Sequence, residues 1–245
     1  MLKLAILILI ILYLSLIKSE FNYFMLNPNM KIKKIDTDIF EIEDIYKYPS
    51  LIRKHYLKKN FNLHKSIYQT SYYNPNLRNS FEIIRLFESL IGKKISIHNW
   101  NHYNSSHSNG FLQYMTDVNN PCIHSDNDSE YAGVVYLGDN MHPKNGTSFY
   151  QHKATGLKEK PTYDELNKLS KEMQNKYEDY AKNDFWVEGE KPQFEKWNKY
   201  YQCENKFNKA VIFNSRRFHC AEKGYGTNKY NCRFFQTFFF NSQNF

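Results

Sequence analysis

The chain reads as a mainly β protein with α additions, and three observations carry that expectation. The first is a set of apolar runs of strand length, rich in β-branched and aromatic residues: Tyr131–Leu137, Lys209–Phe213 and Tyr230–Phe240. The second is period-two alternation in the last run. Arg233, Phe235, Thr237 and Phe239 share one face there, and Cys232, Phe234, Gln236 and Phe238 the other. The third is that helical patterning is confined to Ser80–Gly92 and a charged stretch, Asp164–Lys182. At 245 residues, 41% hydrophobic and 17% aromatic, the chain can bury a sizeable core in one domain.

Taken in order, Lys3 precedes an apolar stretch, Leu4–Ile17, closed by Lys18, Ser19 and Glu20. As a helix it spans about 21 Å, short of the roughly 30 Å hydrocarbon core of a bilayer. Its basic start fits a signal peptide over residues 1–20. The exit Ile17-Lys18-Ser19 is a poor cleavage site, so an uncleaved signal anchor stays open, as does a buried helix. The expectation is the secretory pathway or membrane association through residues 4–17, with a cytoplasmic location as the alternative.

Residues 21–245 then form a single domain with its core at about 80–245. Ile32–Ile42 is extended, and Asn74-Pro75 marks a turn. In Ser80–Gly92, Ser80 can cap, Ile83, Ile84, Leu86, Phe87, Leu90 and Ile91 form a stripe, and Gly92 stops the helix. Such a helix packs on the outside of a sheet. Lys94–Asn99, Gly110–Tyr114 and Gly146–Gln151 add strands. Residues 153–208 change composition and predict a helical insertion, either a cover on the sheet or a lid that shapes substrate choice.

The net charge is +8, yet no run of five basic residues occurs, and no nucleic-acid partner is expected. The four cysteines, Cys122, Cys203, Cys220 and Cys232, lack the paired spacing of a structural zinc site. Sequons stand at Asn104, Asn127 and Asn145.

The residues that carry chemistry are His124, Asp126, His219 and Arg233. His124 and Asp126 are two apart, so on a strand both side chains leave one face. Two imidazoles and one carboxylate are the facial set that holds non-haem Fe(II) and leaves positions open. His219, flanked by strands, is the candidate third ligand. Arg233 stands among aromatics, where a cation needs a partner, and a guanidinium grips a carboxylate with two parallel hydrogen bonds. A surface turn around Ser125–Ser129 and an ordinary ion pair of Arg233 are the competing readings.

With His124-Ser125-Asp126, Val134–Asp139 (VVYLGD), Gly146–Phe149 (GTSF), Lys209–His219 and Cys232–Phe235 in that order, the segment from about residue 80 onward resembles the Fe(II)/2-oxoglutarate-dependent dioxygenases. Within them it is most similar to the prolyl-4-hydroxylase-like branch. Asn145-Gly146 replaces the paired glycines frequent there. The resemblance implies a double-stranded β-helix (jelly-roll or cupin-like) core with flanking helices. It implies Fe(II) on His124, Asp126 and His219, with 2-oxoglutarate held by Arg233 and assisted by Tyr114 and Thr237. It further implies that O2 is used to hydroxylate a C–H bond of a peptidyl or small-molecule substrate, with succinate as co-product. Phe213, Phe218, Phe235 and Phe239 are candidate pocket walls. The rivals are a non-catalytic jelly-roll binding module on a membrane anchor, and a cupin-like iron enzyme that does not use 2-oxoglutarate.

Overall fold

Both faces of the principal sheet are covered, which is why its central strands read as near-continuous apolar runs rather than alternating ones. The computed structural model describes residues 23–65, 70–74, 81–97, 100, 109–116, 122–126, 128–138, 142–183 and 194–243. The expected leader at 1–20, the Ser80 cap and the sequons at Asn104 and Asn127 lie outside these residues. Among the described residues no helix is long and apolar enough to cross a membrane.

The strands are β1 (Lys31–Asp36), β2 (Ile39–Glu43), β3 (Asn62–Lys65), β4 (Thr70–Asn74), β5 (Phe111–Met115) and β6 (Tyr131–Tyr136). They continue as β7 (Thr147–His152), β8 (Trp197–Cys203), β9 (Lys209–Asn214), β10 (His219–Ala221) and β11 (Arg233–Phe240). The helices are α1 (Pro49–Tyr56), α2 (Phe81–Ile91), α3 (Tyr163–Lys168) and α4 (Lys171–Asn183). An eight-stranded sheet runs β1-β2-β9-β6-β11-β5-β4-β3, and a three-stranded sheet runs β10-β7-β8. The pairings within these sheets are antiparallel. The protein is mainly β, with two antiparallel sheets face to face in a jelly-roll core.

Strand pairing sorts side chains into two faces. Arg233 opposes Met115, Phe235 opposes Tyr136, and Ala132 opposes Phe213. These residues, with Ile39 and Val211, pack against Phe149 and Cys203 of the small sheet and form the inner layer. The other parity, including Ile42, Ile212, Val135, Phe234, Phe238 and Phe240, packs against Ile52 and Tyr56 of α1 and Ile83, Ile84 and Phe87 of α2. Helix α2 therefore covers the outside of the sheet. Phe87 lies 5.2 Å from Phe238 and 5.3 Å from Phe240, ring centre to ring centre. Truncating such a fully buried ring costs about 3–5 kcal/mol. A further layer lies on the far side of the small sheet, where Tyr150, Trp197, Phe218 and Cys220 meet Leu157 and, from α4, Tyr177.

Several elements differ from expectation. Asp164–Lys182 is two helices, because Leu169 is extended (ψ 154°) and Ser170 caps the second, accepting from the Met173 N–H. Thr162 and Glu165 cap the first helix reciprocally. The stretch 153–208 is not wholly helical: its end is β8, an outer strand of the small sheet. The packing of Tyr177 on the small sheet makes α4 a cover at that point. Among the described residues of the expected strand Lys94–Asn99 (94–97), the pairing is one bridge, Ile95 to Ser242. Gly146 opens β7 where a Cβ would lie 1.9 Å from the Cys203 carbonyl oxygen, so the backbones meet there only because the residue is glycine.

Candidate functional site

His124 and His219 form a single antiparallel bridge in which each residue donates its N–H to the other's carbonyl, at 2.9 and 2.8 Å. Both imidazoles leave the same side, with ring centres 4.4 Å apart. Asp126 follows two residues after His124 and is held by its own N–H, donated to the Ser215 carbonyl at 2.9 Å. One carboxylate oxygen lies 3.7 Å from His124 Nε2 and the other 3.6 Å from His219 Nε2. The three donor atoms all fall within 4.8 Å of one another. Among the described residues this is the one such group of His, Cys, Asp and Glu.

The backbone fixes which nitrogen each histidine presents. His219 Nδ1 sits 2.8 Å from the Arg217 carbonyl, and His124 Nδ1 sits 3.1 Å from the Cys122 carbonyl. A carbonyl only accepts, so in both rings Nδ1 carries a proton and Nε2 faces the carboxylate. The separations between Nε2 and Asp126 are too long for hydrogen bonds. They suit donors that share an ion at about 2.1 Å each. Asp126 Oδ2 is buried and has no hydrogen-bond partner, which is costly unless something satisfies it. A divalent cation would do so, and the donor set fits one.

Electrostatics separates the two rings. Burial, reinforced by the neighbouring His124, pushes His219 down to about 4. Burial opposes charge on His124 too, but the Cys122 hydrogen bond and the Asp126 carboxylate outweigh it and push His124 up to about 9. The His124 side chain is 40% exposed, which weakens the burial contribution and marks the open side of the cluster. His219 is buried against Phe213, 4.7 Å between ring centres, and against Phe149 at 6.4 Å.

Arg233 lies on the same inner layer, buried to 1% exposure. Its guanidinium donates from Nη2 to the Gly146 carbonyl at 3.0 Å and from Nη1 to the Glu222 carbonyl at 3.3 Å. It also faces the rings of Phe235 and Tyr136, at 5.1 and 5.7 Å. Nε has no partner. Among the described residues no carboxylate pairs with it; the Glu222 carboxylate instead takes Ser148 Oγ and Lys199 Nζ. The two carbonyls belong to residues flanking β7 and β10, so Arg233 reaches across from the large sheet to the small one.

The other expected residues divide. Thr237 shares the Arg233 face, but its hydroxyl accepts from Gln113 Nε2 at 2.7 Å. Tyr114 does not join the cluster. It pairs with Phe234 rather than Arg233, so it points to the helix-covered face. There it stacks on Tyr72 at 4.4 Å and meets Phe61 at 5.2 Å. Phe213, Phe235 and Phe239 line the inner layer, whereas Phe218 belongs to the cluster behind the small sheet. All four cysteines are free and buried. Tyr136 was not singled out from the sequence, yet its hydroxyl donates to Thr147 Oγ1 at 2.7 Å beside Arg233. Its place two residues after Val134 on an alternating strand is the signal that could have found it.

Residues 111–224 match a family of unknown function, DUF6445. No curated protein matches the chain. Among solved structures, the chain is similar to HygX from Streptomyces hygroscopicus. A crystal structure of HygX with nickel, 2-oxoglutarate and hygromycin B bound is 10% identical over 85% of this chain and 84% of that one, with a TM-score of 0.47. Another, with nickel and 2-oxoglutarate bound, is 12% identical over the same shares, with a TM-score of 0.45.

Proposed function

We propose that the protein is an Fe(II)- and 2-oxoglutarate-dependent oxygenase that hydroxylates a C–H bond of a peptide or small molecule. The observation that carries this reading is the pairing of two incomplete sites on one inner layer. One is a His-Asp-His cluster with a buried carboxylate oxygen that lacks a partner. The other is a buried guanidinium with no carboxylate among the described residues. A dicarboxylate that chelates a metal at one end answers both. With Fe(II), 2-oxoglutarate and O2 bound, the chemistry supplied is oxidative decarboxylation to succinate coupled to hydroxylation of a nearby C–H bond.

Within that scheme the residues have separable tasks. Nε2 of His124 and His219 and the Asp126 carboxylate would hold the metal on one side and leave the other side for ligands. Arg233 would orient the distal carboxylate; its free Nε–H and the remaining Nη2 hydrogen provide the donors. Phe213, Phe149 and Phe235, packed in the same buried cluster, would keep water from the reacting groups. Tyr114 takes no part, since it faces the helices. The test is succinate released from 2-oxoglutarate by Fe(II)-loaded protein offered pools of peptides and metabolites. Release above the metal-free level, lost in both His124→Ala and Arg233→Met, is expected. Absence of succinate from folded, metal-loaded protein in every pool would contradict the proposal.

A further inference from the structure

The residues just before His219 are fastened far more heavily than a loop needs for its own sake. The Arg217 side chain is buried, and its guanidinium meets three carboxylates from two separate parts of the chain. It lies 2.7 Å (Nε) and 2.6 Å (Nη2) from Asp38 Oδ1, 3.5 Å from Asp36, and 3.4 Å from Glu159. Asp36 ends β1 and Asp38 lies in the turn to β2, while Glu159 precedes α3. The backbone follows the same seams. Asn214 donates to the Asp38 carbonyl at 3.1 Å, Phe218 to the Lys158 carbonyl at 3.0 Å, and Glu159 bridges Arg217. Between these anchors sits the Arg217 carbonyl, 2.8 Å from His219 Nδ1. Its position decides which way the ring turns and which nitrogen is bare.

We infer that Arg217, clamped by Asp36, Asp38 and Glu159, is a positioning residue for His219. The ion cluster fixes the Arg217 carbonyl, the carbonyl fixes the Nδ1–H tautomer and ring plane, and Nε2 is thereby aimed at Asp126. Partners of this kind around a ligating histidine matter nearly as much as the ligand itself. The arrangement also ties the metal cluster to the β1–β2 turn and to the start of the 153–208 stretch, two regions that supply no ligand. His124 has a simpler version, with the Cys122 carbonyl and no ion cluster behind it. This inference rests on the metal-binding part of the proposed function and needs nothing of 2-oxoglutarate.

The test uses the full chain and Mn(II) alone as probe. Arg217→Ala is expected to weaken Mn(II) binding about 10- to 100-fold. Arg217→Lys, which keeps a cation but not the fork, should recover part of that loss. Asp38→Asn serves if the alanine variant fails to fold, with a smaller loss expected. Lys209→Met is the control, since it breaks a buried ion pair away from the histidines (Nζ–Glu41 Oε2 3.0 Å) and should lower the melting temperature without changing affinity. A second readout is the two-bond ¹H–¹⁵N spectrum of the metal-free protein. Wild type should show a single Nδ1–H tautomer for His219, and Arg217→Ala a mixture. Wild-type Mn(II) affinity in Arg217→Ala or Asp38→Asn, or an unchanged tautomer, overturns the inference and leaves the proposed function standing. Metal binding without 2-oxoglutarate turnover does the reverse, and wild-type protein that binds no metal overturns both.

Discussion

Lys209 and Arg233 are both buried on the inner face of the same sheet, and among the described residues Lys209 has an anion and Arg233 has none. Lys209 is 6% exposed and lies 3.0 Å from the carboxylate of Glu41, itself 7% exposed. Burial works against both charges. Hydrogen bonds from Tyr201 and Lys209 still hold the Glu41 carboxyl below its ordinary value, and Glu41 holds Lys209 above its own. The pair is closed. Arg233 is 1% exposed and meets carbonyls and aromatic faces, with Nε unpaired. The fold evidently can furnish a buried cation with a carboxylate and does so at Lys209. At Arg233 the described residues supply carbonyl dipoles, the Met115 sulfur and ring faces, which orient a guanidinium without neutralising it. Under the proposed function, that difference separates a structural ion pair at Lys209 from a place for an anionic ligand at Arg233.

Paired substitutions give the largest test of this contrast. Lys209→Met strands Glu41 in the interior and is expected to cost about 3–5 kcal/mol in urea unfolding. Arg233→Met strands no charge but takes the guanidinium donor from the Glu222 carbonyl, so without ligand it should cost no more than about 1–3 kcal/mol, less than Lys209→Met. Equal losses in the two variants would make Arg233 another structural cation and break the comparison.

The metal cluster offers a test of intermediate size. With His124 pushed up to about 9 and His219 down to about 4, the metal-free protein at pH 7 holds one imidazole charged and one neutral. Metal binding must then displace about one proton, and affinity should rise roughly tenfold per pH unit until His124 is neutral. Calorimetry of Mn(II) binding in buffers of different ionisation enthalpy reads that proton directly. A proton-free binding event at pH 7 would show that neither imidazole is charged in the metal-free protein.

The smallest effect concerns Glu130, which accepts from Lys93 Nζ at 2.6 Å and from the Ser242 N–H at 2.9 Å. Burial works against its charge, and these bonds outweigh it, so its folded value is depressed. Its contribution is therefore present above the unfolded value near 4.3 and is lost as pH falls through the folded one. Lys93 is half exposed, so the amount is on the order of 1 kcal/mol. Glu130→Gln should flatten the acid limb of a stability–pH curve by that much and leave metal binding untouched.

Much of this architecture was legible in the chain because strand-length apolar runs and the Ile83–Phe87 stripe are local patterns. So was the candidate cluster, since His124 and Asp126 share strand parity and His219 follows a strong strand. What failed were properties set by distant pairing. Tyr114 was expected beside Arg233, but the register of β5 on β11 puts it opposite Phe234, and no local pattern encodes that register. Strand β8 (WNKYYQC) was hidden by its polar residues, because it is an outer strand of the small sheet. The importance of Arg217 acts through a main-chain carbonyl, which side-chain chemistry does not advertise.

The most direct test is the binding of 2-oxoglutarate itself, measured on the full chain by chemical denaturation with and without Mn(II). With Mn(II) present and 2-oxoglutarate at 100 times its Kd, wild type should gain about 2.7 kcal/mol. Lys209→Met should keep that increment above its own lower baseline, and Arg233→Met should lose it. An increment that is absent from wild type, or that survives in Arg233→Met, would contradict the claim that this buried guanidinium is kept for the co-substrate.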